Sequence, residues 1–175
     1  MRRTASRRRS ETRDVVASAL ATLLVVTHVQ MKTWQQLSKD EFYEISKLRC
    51  AVFYVEQRVT DQDFDEVDRA DDTHHLWISD ERGVAAYLRV YTLPEAEHGA
   101  HIGFGRMAVR ADRRGEGLAK ALVAPVIQRW GTGAIAIHAQ RYIRPLYRGF
   151  GFEDVGEPYE EAGIPHQMML RSPSK

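Results

Sequence analysis

The spacing of apolar residues predicts two long helices. In residues 39–55, apolar side chains recur at the three- and four-residue intervals of one helix face. These positions are Phe42, Ile45, Leu48, Val52 and Val55. Ser38 precedes the segment as an N-cap, and Glu41 is its capping-box partner. A second apolar face runs through residues 117–130, where Pro125 predicts a kink.

Shorter apolar runs bounded by turn residues predict strands. They lie at residues 33–37, 75–79, 84–93, 102–110, 134–139, 151–155 and 166–170. Residues 80–83 are predicted to be a hairpin turn, residues 94–100 a loop and residues 143–150 a short helix. The order β-α-β-β-β-α-β-α-β-β predicts an α/β chain with a partly antiparallel sheet, in one domain that spans residues 31–175.

Residues 1–30 differ from the rest of the chain. Six arginines opposed by Glu11 and Asp14 give this segment a charge of +4, which leaves −3 for the remainder of a chain of net charge +1. The apolar run at residues 15–26 is too short to span a bilayer, and no small-x-small cleavage site follows it. The interpretations that stay open for this segment are a disordered extension, the product of a misassigned start codon, an export signal and a docking helix. Neither a nucleic-acid partner nor stable membrane association is predicted for the domain.

The single cysteine limits the chemistry of the chain. One thiol, Cys50, can form neither a disulfide framework nor a thiolate metal site, so a cytoplasmic location is expected. Because Cys50 lies in an apolar helical run, we expect a buried structural thiol rather than a nucleophile.

Two glycine patterns could hold a phosphate. The sequence G-x-G-x-x-A at residues 103–108 lies inside a predicted strand, whereas a dinucleotide fingerprint requires a helix to open on the glycines. The sequence R-G-E-G-L-A at residues 114–119 follows a strand and opens a helix. Its glycines allow a tight turn, and the backbone N–H groups at a helix N-terminus attract anions. Alone, it is either an anion site or an ordinary turn.

Its context resembles the GNAT acetyltransferases. Residues 114–119 fit the family's R/Q-x-x-G-x-G/A signature, residues 107–109 resemble its central strand, and L-Y-R-G-F-G-F at residues 146–152 resembles its L/F-Y-x-x-x-G-F segment. Further pieces, including Leu48-Arg49, Asp65-Glu66 and Gly163-Ile164-Pro165-His166, resemble the ElaA-like branch of that family. The resemblance runs from Trp34 to Leu170.

The resemblance implies a fold and a donor. It implies a mixed, mostly antiparallel sheet flanked by helices, with two splayed parallel strands that hold coenzyme A between them. The backbone of Met107, Ala108 and Val109 would bind the pantetheine arm and the acyl carbonyl. The pyrophosphate would be bound by Arg114, Gly115, Glu116, Gly117, Leu118 and Ala119. Gln140, where many members carry Asn, would bind the cofactor arm. Acetyl-CoA is the expected donor, and no metal is expected.

The resemblance also implies catalytic roles. Tyr147 matches the family's general acid, which would protonate the leaving thiolate. The general base is not fixed by the sequence. Glu56 is the preferred residue, the alternatives are Glu66, His75 and His166, and water-mediated transfer is common in the family. Because His75 begins a predicted strand, we expect it to be a core residue. The expected reaction is direct transfer of acetyl to a primary amine of a small molecule or protein. The alternative is a non-catalytic acyl-CoA sensor or scaffold.

An acidic segment gives the one indication of the acceptor. Its carboxylates are Asp61, Asp63, Asp65, Glu66, Asp68, Asp71 and Asp72. Residues 61–72 do not fit a calcium loop, which needs Gly at position six and Glu at position twelve. They form either a solvated loop or a negative field that attracts a cationic amine. The sequence leaves the oligomeric state open, with a homodimer as one option.

Overall fold

The computed structural model describes residues 28–173. Three α-helices and seven strands form most of this part of the chain, with one π-helical segment and several short 3-10 segments between them. The strands are β1 (Gln30–Thr33), β2 (His74–Asp80), β3 (Gly83–Glu97), β4 (Ala100–Val109), β5 (Ile135–Gln140), β6 (Phe152–Glu161) and β7 (Ile164–Arg171). The α-helices are α1 (Lys39–Arg49), α2 (Leu118–Trp130) and α3 (Arg144–Arg148). The predicted extension lies outside the described residues except for its last three, so the interpretations of that segment stay predictions.

One mixed sheet contains all seven strands in the order β1-β2-β3-β4-β5-β7-β6. Every neighbouring pair is antiparallel except β4 and β5, which are parallel. Helices α2 and α3 pack on one face with Leu122, Val126 and Tyr147 in the main core. Helix α1 covers part of the other face, where Ile45 and Leu48 pack near Trp77. The predicted fold class is confirmed.

The parallel strands β4 and β5 separate soon after they meet. Among the described residues, they pair only at Ile102 with Ile135 and at Gly103 with Ala136. A Cβ at Gly103 would lie 3.2 Å from the Ala136 carbonyl oxygen, so a glycine allows the close approach at the last paired position. Beyond it, the two strands diverge and leave a gap in the middle of the sheet.

Several predicted boundaries are wrong. Residues 33–37 are not a strand: β1 ends at Thr33, and Trp34–Gln36 form a 3-10 turn. The predicted helix at residues 39–55 is α-helical only to Arg49 and continues as a π-helical segment, Cys50–Glu56. The predicted loop at residues 94–100 instead contains the end of β3 and a two-residue turn.

Of two single-residue predictions, the one for Cys50 is partly wrong and the one for Pro125 is not tested. Cys50 is partly rather than fully buried. Helix α2 runs through Pro125 without interruption, so the kink stays a prediction. Within residues 28–173, no helix is long and apolar enough to cross a membrane.

Candidate active site

A cavity of about 930 Å³ occupies the gap between β4 and β5. It is also lined by the start of α2, by α3, by the π-helical segment and by the hairpin of β6 and β7. Ten predicted site residues line it: Glu56, Met107, Val109, Arg114, Gly115, Gly117, Leu118, Ala119, Gln140 and Tyr147. The other two do not: Ala108 is buried against α1, and exposed Glu116 pairs with Arg113. Only backbone atoms of Ala108 could therefore serve a ligand.

The glycine turn depends on backbone conformation. Gly115 and Gly117 have φ angles of +81° and +82°, in the left-handed region. A Cβ at either position would meet nothing within 4 Å, so the need for glycine is torsional rather than steric. Gly117 is the N-cap of α2, and the first N–H groups of a helix have no intrahelical acceptor. The positive end of the helix dipole therefore lies at the cavity.

Arg114 and Glu56 form a bidentate ion pair at the cavity. The Arg114 Nη1 and Nη2 atoms lie 2.6 and 2.7 Å from the two carboxylate oxygens of Glu56, and Nε donates to the Val109 carbonyl oxygen at 3.1 Å. Both side chains are almost half exposed. The hydrogen bonds from Arg114 lower the pKa of Glu56, which weakens this carboxylate as a base while the pair persists.

Tyr147 lies on α3, between the cavity and the core. It is 5% exposed, and its ring makes edge contacts with Phe104 and Phe152 at centroid distances of 5.7 and 6.0 Å. Burial raises the pKa of its hydroxyl. The residue is therefore held as a neutral phenol, which is the form a proton donor needs.

Of the three alternative base candidates, only His166 lines the cavity. Glu66 lies in a 3-10 turn away from it with a side chain that is 93% exposed. His75 is fully buried, with its ring nitrogens 2.8 Å from the Tyr87 hydroxyl and 2.9 Å from the Asp68 carbonyl oxygen. The expectation that His75 is a core residue is therefore confirmed. The Nδ1 atom of His166 lies 2.8 Å from the Ile164 carbonyl oxygen, to which it donates.

Gln140 uses its amide within the protein. Its Nε2 atom donates to the Oε1 atom of Gln57 at 3.2 Å. This contact joins β5 to the end of the π-helical segment across the cavity. A cofactor arm would have to share or displace the contact.

The acidic segment is not simply a solvated loop. Asp63 and Asp68 are buried around the guanidinium of Arg49, which is also fully buried. Arg49 lies 2.9 Å from Asp63 and 2.6 Å from Asp68. Arg89 lies 2.6 Å from Asp65 and 2.9 Å from Asp68. Three of the seven carboxylates are thus paired with arginines inside the protein.

The arginines of this network were missing from the predicted site. Arg106 lines the cavity and lies 3.0 Å from a carboxylate oxygen of Asp63. Arg49 falls four residues after Ile45, on the apolar face of α1, and Arg89 interrupts an apolar strand. A charge at such a position indicates a buried ion pair, because an unpaired buried charge is costly. That signal could have been found in the sequence.

A second group of polar residues was also missed. The His138 Nδ1 atom lies within hydrogen-bond distance of the Tyr159 hydroxyl, and its Nε2 atom lies 3.0 Å from Oε2 of Glu97. His138 and Tyr159 both line the cavity. The available signal was one histidine inside an otherwise apolar strand.

These features match a known family. Residues 35–172 match the family model of the acetyltransferase (GNAT) domain. The chain belongs to the GNAT acetyltransferase family. It is 35% identical to protein ElaA of Escherichia coli (strain K12) over 152 residues, which cover 81% of this chain and 97% of ElaA. The resemblance to GNAT proteins and to their ElaA-like branch is therefore confirmed.

Solved structures agree with this assignment. The crystal structure of Escherichia coli ElaA matches with a TM-score of 0.75 and 31% identity, covering 83% of this chain and 99% of that one. An acyl-CoA N-acyltransferase from Pseudomonas aeruginosa matches with a TM-score of 0.74 and 32% identity, covering 83% and 99%. Among residues 28–173, no group of three or more His, Cys, Asp or Glu side chains is arranged to hold a metal ion.

Proposed function

We propose that this protein is an N-acetyltransferase that transfers the acetyl group of acetyl-CoA to a primary amine of a small molecule or protein. The observation that carries the proposal is the gap between β4 and β5, with an anion-binding turn and a neutral tyrosine on its walls. Both substrates would be bound together, and the amine would attack the thioester directly. Holding the two in one cavity removes the entropic cost of a bimolecular encounter.

The donor would lie along β4. Its pyrophosphate would meet the N–H groups at the start of α2 and the cations Arg113, Arg114 and Lys120, all of which line the cavity. The backbone of residues 107–109 would bind the pantetheine arm and polarise the acyl carbonyl. One hydrogen-bond donor placed at a developing oxyanion lowers the activation free energy by about 3 kcal/mol.

Tyr147 is the proposed general acid. As the amine nitrogen bonds to the carbonyl carbon and the C–S bond breaks, the thiolate would take the hydroxyl proton of Tyr147. Burial keeps that hydroxyl protonated until a strong acceptor forms. The phenolate would then regain a proton from solvent.

The assignment of Glu56 as the general base carries a condition. Arg114 holds both of its carboxylate oxygens. A bound pyrophosphate would compete for the same guanidinium, because phosphate oxygens are good bidentate partners of arginine. Glu56 would therefore be freed only after the donor binds, and the assignment stays a prediction.

The acceptor is proposed to carry a positive charge. Fewer carboxylates are available to attract it than the sequence indicated. Asp63, Asp65 and Asp68 are matched by arginines. Asp61 and Glu161 line the cavity and are exposed. These two carboxylates would attract an ammonium group.

A panel of amines tests the proposal. Purified protein would be incubated with acetyl-CoA and spermidine, a lysine-containing peptide or kanamycin, and thiol release and product mass would be measured. Turnover of at least one amine is expected. Tight acetyl-CoA binding without turnover of any amine would contradict the proposal and favour a non-catalytic sensor.

The variant Tyr147→Phe tests the acid. We expect kcat to fall by about 10²- to 10⁴-fold, since that is the usual contribution of general acid catalysis, while acetyl-CoA affinity is kept. The control is Tyr43→Phe, which alters an exposed tyrosine away from the cavity. An unchanged kcat in Tyr147→Phe would remove this residue as the acid.

A further inference from the structure

A group of titratable side chains lies on the opposite side of the sheet from Tyr147. In β5, Ile137 and Ala139 point into the core that contains Tyr147 and α2. His138 lies between them and, because side chains alternate along a strand, points to the other face. The cavity reaches both faces, since His138 and Tyr147 both line it. An amine that approaches on the His138 side would meet the thioester from the face opposite the proposed acid.

The hydrogen bonds of His138 define the direction of proton transfer. A carboxylate can only accept, so Nε2 carries a hydrogen and donates it to Oε2 of Glu97 at 3.0 Å. The Nδ1 atom then has a free lone pair and accepts the hydroxyl hydrogen of Tyr159. The Tyr159 oxygen keeps its own lone pairs for a donor in the cavity. The order carboxylate, imidazole, hydroxyl is the arrangement that activates a hydroxyl in many hydrolases.

The surroundings keep Tyr159 neutral. Burial, followed by the negative charges of Glu161 and Glu97 and the nearby Tyr91, raises the pKa of Tyr159 to about 12. The ring of His166, on the neighbouring strand β7, stacks on the Tyr159 ring at a centroid distance of 5.9 Å. The phenol is therefore held in place as a hydroxyl, which can pass a proton on without forming a phenolate.

We propose that Tyr159, His138 and Glu97 form a proton relay that removes the proton of the acceptor amine. The inference rests on the proposed acetyl transfer. As the amine nitrogen bonds to the carbonyl carbon, its proton moves to the Tyr159 oxygen, and the hydroxyl proton of Tyr159 moves to Nδ1 of His138. Glu97 stabilises the resulting imidazolium, which then loses a proton to solvent, since His138 is exposed. Tyr159 is the catalytic residue, and His138 and Glu97 are positioning residues.

The relay does not depend on Arg114. Glu56 can act only when its pair with Arg114 opens, whereas Tyr159 already lines the cavity and its hydroxyl is held by His138. The two bases therefore differ in a measurable way. A relay that ends on His138 should lose kcat when the imidazole is removed, with the KM of the amine and the binding of acetyl-CoA kept.

The experiment measures kcat and KM for the best amine of the panel, at saturating acetyl-CoA. Tyr159→Phe is expected to lower kcat by about 10²- to 10⁴-fold with acetyl-CoA binding kept. His138→Gln should lower kcat as Tyr159→Phe does, because the hydroxyl then has no imidazole to take its proton. Glu97→Gln should lower kcat less, because a neutral amide oxygen can still accept the Nε2 hydrogen and hold the ring. Neither change should alter the KM of the amine. His101→Gln, an exposed histidine on β4 outside the cavity, is the matched control.

The outcomes separate the relay from the proposed function. A wild-type protein that binds acetyl-CoA but acetylates no amine overturns both. An active wild type with kcat unchanged in both His138→Gln and Tyr159→Phe overturns the relay alone. Loss of kcat in Glu56→Gln instead would assign the base to Glu56. Tyr159→Phe removes only one oxygen, so it carries the test even if His138→Gln fails to fold.

Discussion

Removing the guanidinium of Arg49 is predicted to destabilise the fold more than removing any exposed arginine. Arg49 is fully buried and lies 2.9 Å from Asp63 and 2.6 Å from Asp68, and it also stacks on the Phe64 ring at 4.3 Å. Burial disfavours ionisation of Asp68, but Arg49 and Arg89 outweigh it and lower the pKa of that carboxyl. In Arg49→Leu, two buried carboxylates would lose their main partner.

The magnitude follows from what remains around those carboxylates. Deleting one partner of a buried ion pair costs about 3 to 5 kcal/mol. Asp68 keeps Arg89 at 2.9 Å, and Asp63 keeps Arg106 at 3.0 Å, so we expect the lower end, about 3 kcal/mol. For a domain of this size, 1 kcal/mol lowers Tm by roughly 2 to 4 °C, which gives a decrease of about 6 to 12 °C.

Urea denaturation and thermal melting of Arg49→Leu and Arg82→Leu would measure the difference. Arg82 is a matched control, because its side chain is 73% exposed and its partner Asp112 is also at the surface. Arg49→Lys should remain destabilised, since an ammonium group cannot form the bidentate contact with Asp63. If Arg49→Leu were as stable as Arg82→Leu, the ion pairs of Arg49 with Asp63 and Asp68 would contribute nothing to stability, contrary to this prediction.

Three further predictions concern pH, the glycine turn and the Glu56 pair. Burial lowers the pKa of His75, so below about pH 6.5 the unfolded state binds a proton that the folded state does not. The free energy of unfolding should therefore fall by up to about 1.4 kcal/mol for each pH unit below that point. Urea titrations of His75→Gln should lack this pH dependence. Gly117→Ala should cost roughly 1 to 2 kcal/mol and weaken acetyl-CoA binding in calorimetry, whereas Gly99→Ala, with φ +80° and equal space, should cost the same without affecting binding. Glu56→Gln frees Arg114 and should tighten acetyl-CoA binding; weaker binding would mean that the pair preorganises Arg114.

Features set by near neighbours in the sequence were predictable. The capping box is present, with the Glu41 N–H donating to Ser38 Oγ at 3.1 Å and the Ser38 N–H donating to Glu41 Oε2 at 2.9 Å. The turn at residues 114–119 opens a helix as its glycines indicated. Both depend on residues only a few positions apart, so a single sequence contains the whole signal.

Features that depend on distant partners were not predictable in the same way. Pro94 and Gly99 marked a loop, yet β3 continues to Glu97 because an irregular register accommodates the proline and a tight turn at His98 and Gly99 returns the chain. The proton relay joins Glu97, His138 and Tyr159, which come from three strands. No spacing rule connects such residues before the sheet order is known.

The short pairing between β4 and β5 has a consequence for the stability of the sheet. Two register pairs join a four-stranded half of the sheet to a three-stranded half. A donor that lies in the gap and bonds to both strand edges would act as a partial eighth strand, so its binding energy would become part of the cohesion of the sheet. At a donor concentration 100 times Kd, this linkage is worth about 2.7 kcal/mol. The cellular level of coenzyme A thioesters would then set how firmly the two halves hold together, as well as how fast the chemistry runs.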